Sequence, residues 1–237
     1  MPGSLKEIVL ILILFSPLAT AVAQENDTVE SRKVRNIGIL IFENVDLLDV
    51  AGPHEVFSLV RTVPGVESRF SRDTAPFQVF TIAESIEAVR SEGGLSINPD
   101  FSFSNTPPID LLIVPGGPGA RALLQKEKSS ILNWVKQKSS TGIELASVCT
   151  GSLLLARAGI LSGREATTHW GALDLLISLD ETIRVKKGVR YVDDDIVTSA
   201  GVSSGIYMSL YIVEKLLGKE IARDTARLMD YDYPAVQ

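Results

Sequence analysis

The sequence predicts an α/β fold: a single domain in which helices cover both faces of a mainly parallel sheet, giving a three-layer sandwich. Short apolar runs alternate along the chain with segments of helical periodicity, a pattern typical of βαβ units. Several of these runs are apolar on both faces, as expected for strands that are covered on both sides. Ligands in such folds bind beyond the carboxyl ends of the strands.

Composition excludes several classes of protein. Of the 237 residues, 45% are hydrophobic and 22% are charged, which is too apolar for a disordered chain. The formal net charge of −6 lacks the dense basic surface of a nucleic-acid binder, so we expect no nucleic-acid partner. One cysteine allows no intrachain disulfide, and with only two histidines the chain has almost no ligands for a zinc site.

The first 23 residues have the pattern of a signal peptide. Lys6 precedes an apolar run at 8–15, and the small residues up to Ala23 have the Ala-x-Ala form of a cleavage site. An uncleaved anchor is the alternative, but the apolar stretch is shorter than the roughly 20 residues of a spanning helix. We therefore expect cleavage after Ala23, export to the periplasm or the medium, and no stable membrane insertion afterwards. A polar linker at 24–33 follows.

The sequence predicts a domain over 34–232, followed by a tail at 233–237. Three strands are predicted in the first half of this domain. The runs at 34–42 and 110–115 are almost wholly apolar, whereas the run at 77–83 alternates apolar with polar residues. Both patterns are typical of strands with at least one buried face.

A helix and a hairpin are also predicted in this half. Gly52 and Pro53 open the first helix, because proline is favoured in a helix's first turn. The glycine pair in the middle of 87–97 predicts a hairpin.

The second half repeats the alternation. A strand at 143–148 precedes a helix at 150–158, and an acidic turn at 193–195 separates the two strands of a second hairpin within 189–199. Spacing of apolar residues predicts the remaining helices, which lie at 129–139, 170–179, 203–217 and 220–229.

Cys149 lies at the turn between a buried strand and a helix. Ser147 and Gly151, two residues before and two after it, are small, as the tight turn of a nucleophile elbow requires. The unpaired N–H groups and the dipole of the following helix should lower the pKa of the thiol. An ordinary buried cysteine is the alternative.

A glycine-rich turn and an acidic segment fall at the same predicted edge of the sheet. The turn at 115–119 could bring backbone N–H groups close to a developing negative charge, although a plain tight turn has the same composition. Asp49, just before the predicted first helix, could exchange a proton with a substrate on Cys149. A capping role is the alternative, and Asp46 and Glu55 compete with Asp49.

His169 is the remaining candidate. A Cys/His pair is a common way to activate a thiol, but a single histidine beside Trp170 is more often a packed, hydrogen-bonded residue.

Together these motifs resemble the DJ-1/PfpI superfamily, the class I glutamine amidotransferase-like proteins. Within it the sequence is most similar to the isonitrile hydratase branch and to the amidase-like domain of AraC-type regulators. The resemblance rests on Asp-x-x-Gly-Pro-x-Glu-Val-Phe at 49–57, Leu-Ile-Val-Pro-Gly-Gly-Pro-Gly at 112–119, Ala-Ser-Val-Cys-Thr-Gly at 146–151, Thr-Thr-His-Trp at 167–170 and Thr-Ser-Ala-Gly-Val at 198–202.

The resemblance implies a flavodoxin-like sheet and a set of site residues. Cys149 would be the nucleophile and Asp49 the acid/base in the hydration of an isonitrile to an N-substituted formamide. Gly117 and Thr150, with Gly116 beside them, would offer N–H groups to the substrate or its anion, and the pocket would lie near His169. It further implies a small-molecule substrate, no metal or organic cofactor, and a homodimer.

Departures from the superfamily's other branches leave two alternatives open. The Cys-His dipeptide of the protease-like branch is absent, because Thr150 follows Cys149. Asp49 stands where the glyoxalase-like branch has glutamate, which disfavours a DJ-1-like glyoxalase or stress-response protein. The other alternative is a non-catalytic ligand-binding or thiol-sensing domain; since little sequence follows the last predicted helix, we expect no helix-turn-helix module.

Overall fold

The computed structural model describes residues 34–233. The predicted signal peptide at 1–23, its cleavage site and the linker at 24–33 lie outside the described residues, as does nearly all of the predicted tail. Among the residues described, no helix is long and apolar enough to cross a membrane.

Strands and helices alternate along the described chain. The strands are β1 Arg35–Leu40, β2 Phe77–Ala83, β3 Val89–Arg90, β4 Ser96–Ile97, β5 Phe101–Ser102, β6 Leu111–Val114, β7 Glu144–Ser147, β8 Glu165–Ala166, β9 Arg184–Val185, β10 Tyr191–Asp194 and β11 Ile196–Ser199. The helices are α1 Leu47–Leu59, α2 Pro118–Leu124, α3 Ser130–Ser139, α4 Gly151–Arg157, α5 Leu173–Leu179, α6 Ser204–Leu217 and α7 Lys219–Leu228. Two 3-10 turns, Val66–Phe70 and Trp170–Ala172, complete the list.

The central sheet has seven strands within the described residues, in the order β10-β11-β7-β6-β1-β2-β5. All neighbours are parallel except the β10–β11 hairpin. The order places β1, β6 and β7 at the centre, so the loops that follow these three strands meet at one edge of the sheet.

Helices cover the sheet in two groups. On one side α1 packs against α6, and α6 against α7; on the other, α4 contacts α2, α3 and α5. The strand β1 is buried on both faces, with Ile37, Ile39 and Leu40 almost inaccessible to solvent. The predicted α/β class and three-layer architecture are therefore confirmed.

The prediction for the first helix was wrong at its start. Helix α1 begins at Leu47, so Pro53 lies inside it and Asp49 lies in its first turn instead of before it. A proline inside a helix removes one hydrogen bond, but buried Val56 and Phe57 anchor the same helix in the core. Tertiary packing therefore outweighs the local cost of the proline.

The helix α2 was not predicted. Its sequence begins at Pro118, directly after the glycine pair that we interpreted as part of a turn. Proline is well suited to a helix's first position, since the N–H that it lacks would have no partner there. The glycine-rich turn is thus the entry to a short helix.

Candidate active site

Cys149 occupies a strained turn between β7 and α4. Its φ is +56°, in the left-handed region that non-glycine residues rarely adopt. The Cys149 N–H holds the turn in place by donating to the carbonyl oxygens of Ser199 and Ala200, each at 3.2 Å. A Cβ atom on Gly151 would overlap the Val114 carbonyl, so this position needs glycine. The geometry is that of the predicted nucleophile elbow.

The loop that contains His169 is tied directly to this turn. Thr168 donates its hydroxyl to the carbonyl of Cys149 at 2.9 Å, and the N–H of Thr167 donates to Thr198 Oγ1 at 2.9 Å. Both threonines are almost fully buried. The predicted Thr-Thr-His-Trp stretch therefore lies beside Cys149 because its two threonines fix it to the sheet.

Asp49 is the carboxyl group of the site. It is fully buried, and its Oδ2 accepts a 2.9 Å hydrogen bond from the N–H of Gly116. Its Oδ1 has no hydrogen-bond partner among the described residues. Burial raises the pKa of Asp49 to about 7, with a smaller contribution from the charge of Asp46, against the lowering effects of the Gly116 hydrogen bond and of Cys149.

The two competing carboxylates are less suited to this role. Glu55 is exposed on α1, and Asp46 is the residue that precedes the helix, half-buried. A buried acid with a pKa near 7 is the kind of group that exchanges protons at neutral pH. Asp49 is therefore the acid/base candidate that the geometry favours.

The prediction of a lowered thiol pKa is wrong. Burial and the adjacent charge of Asp49 raise the pKa of Cys149 to about 12, outweighing the N–H and side chain of Thr150, which lower it. Cys149 is only 5% exposed, so water would stabilise a thiolate poorly at this position. The thiol keeps its proton at neutral pH, beside a carboxyl group able to receive it.

The backbone N–H groups around the thiol are arranged differently from the prediction. The N–H of Gly116 donates to Asp49, and the N–H of Gly117 donates to Thr150 Oγ1 at 2.9 Å. The N–H of Gly117, which was predicted to face a substrate, and that of Gly116 beside it are thus engaged within the protein. Thr150 lowers the pKa of the adjacent Cys149 thiol through its N–H and its side chain. The roles of the two glycines toward a substrate stay predictions.

Close packing of the turn at Gly116 and Gly117 explains why both positions are glycine. A Cβ on Gly116 would lie 2.5 Å from both the backbone nitrogen and Oγ1 of Thr150. Gly117 has a φ of +115°, a conformation that suits glycine. The turn can approach both Asp49 and Thr150 only because it lacks side chains.

Gly201 is a site residue that sequence reasoning did not single out. A Cβ on Gly201 would lie 2.7 Å from the Cys149 sulfur and 2.9 Å from Cδ2 of His169. The thiol and the imidazole thus face the same point of the backbone. His169 is half-buried, and its Nδ1 accepts the N–H of Gly171 at 3.2 Å, which fixes the ring. The position of Gly201 just after a buried strand, at the edge of the sheet where ligands bind, was the sequence signal that could have identified it.

Fold and site together define an α/β protein that carries a buried cysteine on a nucleophile elbow with a buried carboxyl beside it. The sequence profile of the DJ-1/PfpI family matches residues 35–215. The chain belongs to the DJ-1/PfpI family, which confirms the family predicted from its motifs.

Several relatives share most of this chain. Isonitrile hydratase from Pseudomonas putida is 32% identical over 195 residues, covering 82% of this chain and 78% of that protein. The HTH-type transcriptional regulator GbdR from Pseudomonas aeruginosa is 26% identical over 86% of this chain, which spans about half (52%) of the regulator's length. The crystal structure of a THiJ/PfpI family protein from Pseudomonas syringae superposes with a TM-score of 0.72 at 27% identity, covering 85% of this chain and 76% of that one.

Proposed function

We propose that this protein is a cysteine-dependent hydratase of small isonitriles, which it converts with water into N-substituted formamides. The observation that carries the proposal is the buried Asp49 carboxyl, with one oxygen unpartnered, beside the thiol of Cys149. The similarity to isonitrile hydratase supports this choice of substrate.

In the first step the Cys149 sulfur attacks the terminal carbon of the isonitrile. Asp49 takes the thiol proton as the carbon–sulfur bond forms, and then gives it to the same carbon. The product is a thioimidate, R–N=CH–S–Cys149. General acid/base catalysis of this kind requires a group whose pKa lies near the working pH, which the buried Asp49 provides.

In the second step water adds to the thioimidate carbon. Asp49 accepts a proton from the water, and the tetrahedral intermediate collapses by breaking the carbon–sulfur bond. Asp49 passes the water proton to the nitrogen, the hydroxyl proton of the intermediate goes to the sulfur as the carbonyl forms, and R–NH–CHO is released. Thr150, which lowers the pKa of the thiol, stabilises the negative charge that develops on the departing sulfur before it regains its proton.

Turnover of an isonitrile panel, with mass detection of the formamides, tests the proposal. We expect product with the wild-type chain and none with Cys149→Ala or Asp49→Asn. Asp46→Asn is the matched control, because it removes a neighbouring carboxylate that does not contact the thiol in the proposed reaction. Equal formamide yields from wild type and Cys149→Ala would exclude the mechanism.

A non-catalytic ligand-binding domain is the second candidate. Its support is the similarity to GbdR, a transcriptional regulator that shares this domain. Under this alternative, isonitriles or other small molecules bind saturably without product, and Cys149→Ala leaves their affinity unchanged. Calorimetric titration of both chains, run beside the turnover assay, separates the two functions.

We also propose that the chain is exported and cleaved after Ala23, on the grounds of its N-terminal sequence. Intact-mass measurement of the protein recovered from the periplasm or medium should give a chain that begins at Gln24. A full-length mass in the cytoplasmic fraction would refute export. The homodimer implied by the family resemblance stays a prediction, which sedimentation of the same sample can check.

A further inference from the structure

Trp170 exposes its indole to solvent to an unusual degree. The residue is 80% exposed, although tryptophan is on average among the more buried residue types. Trp134, by contrast, is only 7% exposed and stacks on Phe103 with ring centroids 4.3 Å apart. Because a single exposed apolar side chain is common on protein surfaces, the surroundings of this indole decide whether it has a binding role.

The backbone around Trp170 is held firmly. It begins a 3-10 turn in which the N–H of Ala172 donates to the His169 carbonyl at 2.8 Å. The side chain of Arg121, on α2, donates to the carbonyl of Gly171 at 3.0 Å. These bonds fix the backbone that carries the indole.

That place is at the outer end of a row of groups that starts at the reactive sulfur. The Cys149 sulfur and the His169 ring both face Gly201, and the ring centroid of His169 is 5.3 Å from that of Trp170. Exposure increases along the row, from 5% at Cys149 through half-buried His169 to 80% at Trp170. The row therefore runs from the buried thiol to the protein surface.

We propose that the Trp170 indole is the outer wall against which the substrate's hydrocarbon substituent packs. The inference rests on the proposed function and assigns to Trp170 the discrimination between isonitriles with an extended apolar substituent and those with a small one. The C–N–R axis of an isonitrile is linear, so a terminal carbon held at the sulfur directs its substituent away from the thiol. An apolar ring that reaches the Trp170 indole removes its own surface and that of the indole from water.

Alkylation of Cys149 tests this wall without any hydration step. The thiolate displaces iodide from iodoacetamide or from N-benzyl iodoacetamide, and the ratio of the two rates measures recognition of the ring. We expect Trp170→Ala to lower the benzyl-to-unsubstituted ratio about tenfold, the size of one lost aromatic contact. Trp170→Phe should restore most of that ratio.

Phe70→Ala is the matched control, because Phe70 is 77% exposed and also lies on a 3-10 turn. It should leave the ratio unchanged. An unchanged ratio in Trp170→Ala, or an equal fall in Phe70→Ala, would overturn the assignment.

Turnover of benzyl and methyl isonitrile distinguishes this proposal from the function on which it rests. If both hold, Trp170→Ala reduces kcat/KM about tenfold for the benzyl substrate and less than about twofold for the methyl one. A tenfold fall in the labelling ratio without any turnover would refute hydration and support the wall. Normal turnover of both substrates by Trp170→Ala, with an unchanged labelling ratio, would refute the wall alone.

Discussion

The carboxyl group of Asp49 accepts a hydrogen bond from the backbone of Gly116, 67 residues further along the chain. This bond joins the first turn of α1 to the turn that follows β6, and the second carboxyl oxygen of Asp49 has no hydrogen-bond partner in the part of the chain that the structure describes. That oxygen is the one at which Asp49 can bind a proton. Asp49 is thus positioned by the fold and available for chemistry.

The pH profile of turnover should follow Asp49. The carboxylate form must be present to take the thiol proton, and burial raises the pKa of this group to about 7. We therefore expect kcat/KM to fall about tenfold per pH unit below pH 7 and to level off above it. Asp46→Asn should move the inflection to lower pH, because the Asp46 charge raises the pKa of Asp49. A profile that is flat between about pH 6 and about pH 8, one unit either side of the expected inflection, would contradict the assignment.

Asp49→Asn should stabilise the protein most at high pH. The pKa of Asp49 is raised from 3.8 to about 7 in the folded state, so its contribution to stability is complete below about pH 4 and is lost as pH rises to 7. The amide of the Asp49→Asn variant does not ionise and avoids this loss. The free energy of unfolding of the variant should therefore exceed the wild-type value by on the order of 2–4 kcal/mol at pH 8. Urea denaturation at pH 5 and at pH 8 measures the difference, which should be smaller at the lower pH.

The reactivity of Cys149 should show a raised thiol pKa. Because burial and the Asp49 charge raise it to about 12, the rate of alkylation by iodoacetamide should keep rising through roughly pH 9 without a plateau. Asp49→Asn removes the neighbouring charge, so it should speed alkylation at every pH at which Asp49 is ionised. A plateau at or below the ordinary thiol value of about 8.5 would show that the helix N-terminus dominates after all.

Gly201→Ala should disable the site at a modest cost in stability. Its new methyl group would lie 2.7 Å from the Cys149 sulfur and 2.9 Å from the His169 ring, so both must shift. We expect a loss of about 100-fold in kcat/KM, as displacement of a reacting group by an ångström can cause, and about 1–3 kcal/mol of destabilisation from overpacking. Gly93→Ala is the control, because no atom lies within 4 Å of a Cβ there. Comparable activity in the two variants would mean that the space at Gly201 does not matter.

Much of the fold could be predicted because the pattern of apolar residues records burial directly. The predicted strands at 34–42, 110–115 and 143–148 correspond to β1, β6 and β7, the buried centre of the sheet. The start of α1 could not be predicted in the same way. Gly52 and Pro53 have the local pattern of a helix N-terminus, and only packing of the helix on α6 shows that they lie within it.

Likewise, one part of the site could be predicted from the sequence and another part could not. Small residues around Cys149 predicted the elbow, because the steric limits of a tight turn act between neighbours in the chain. The thiol pKa was predicted with the wrong sign, because the sequence indicates the helix that follows Cys149 and a carboxyl near it, but not how deeply the thiol is buried.

By itself the sequence determined the layered fold, the family and the residue at the centre of the site, since each depends on patterns within short segments. Tertiary structure alone decided how deeply Asp49 and the thiol are buried, that Gly201 lies against both the thiol and His169, and in which direction the thiol pKa moves. Desolvation and charge act through space between groups that are distant in the chain, and no local pattern records them.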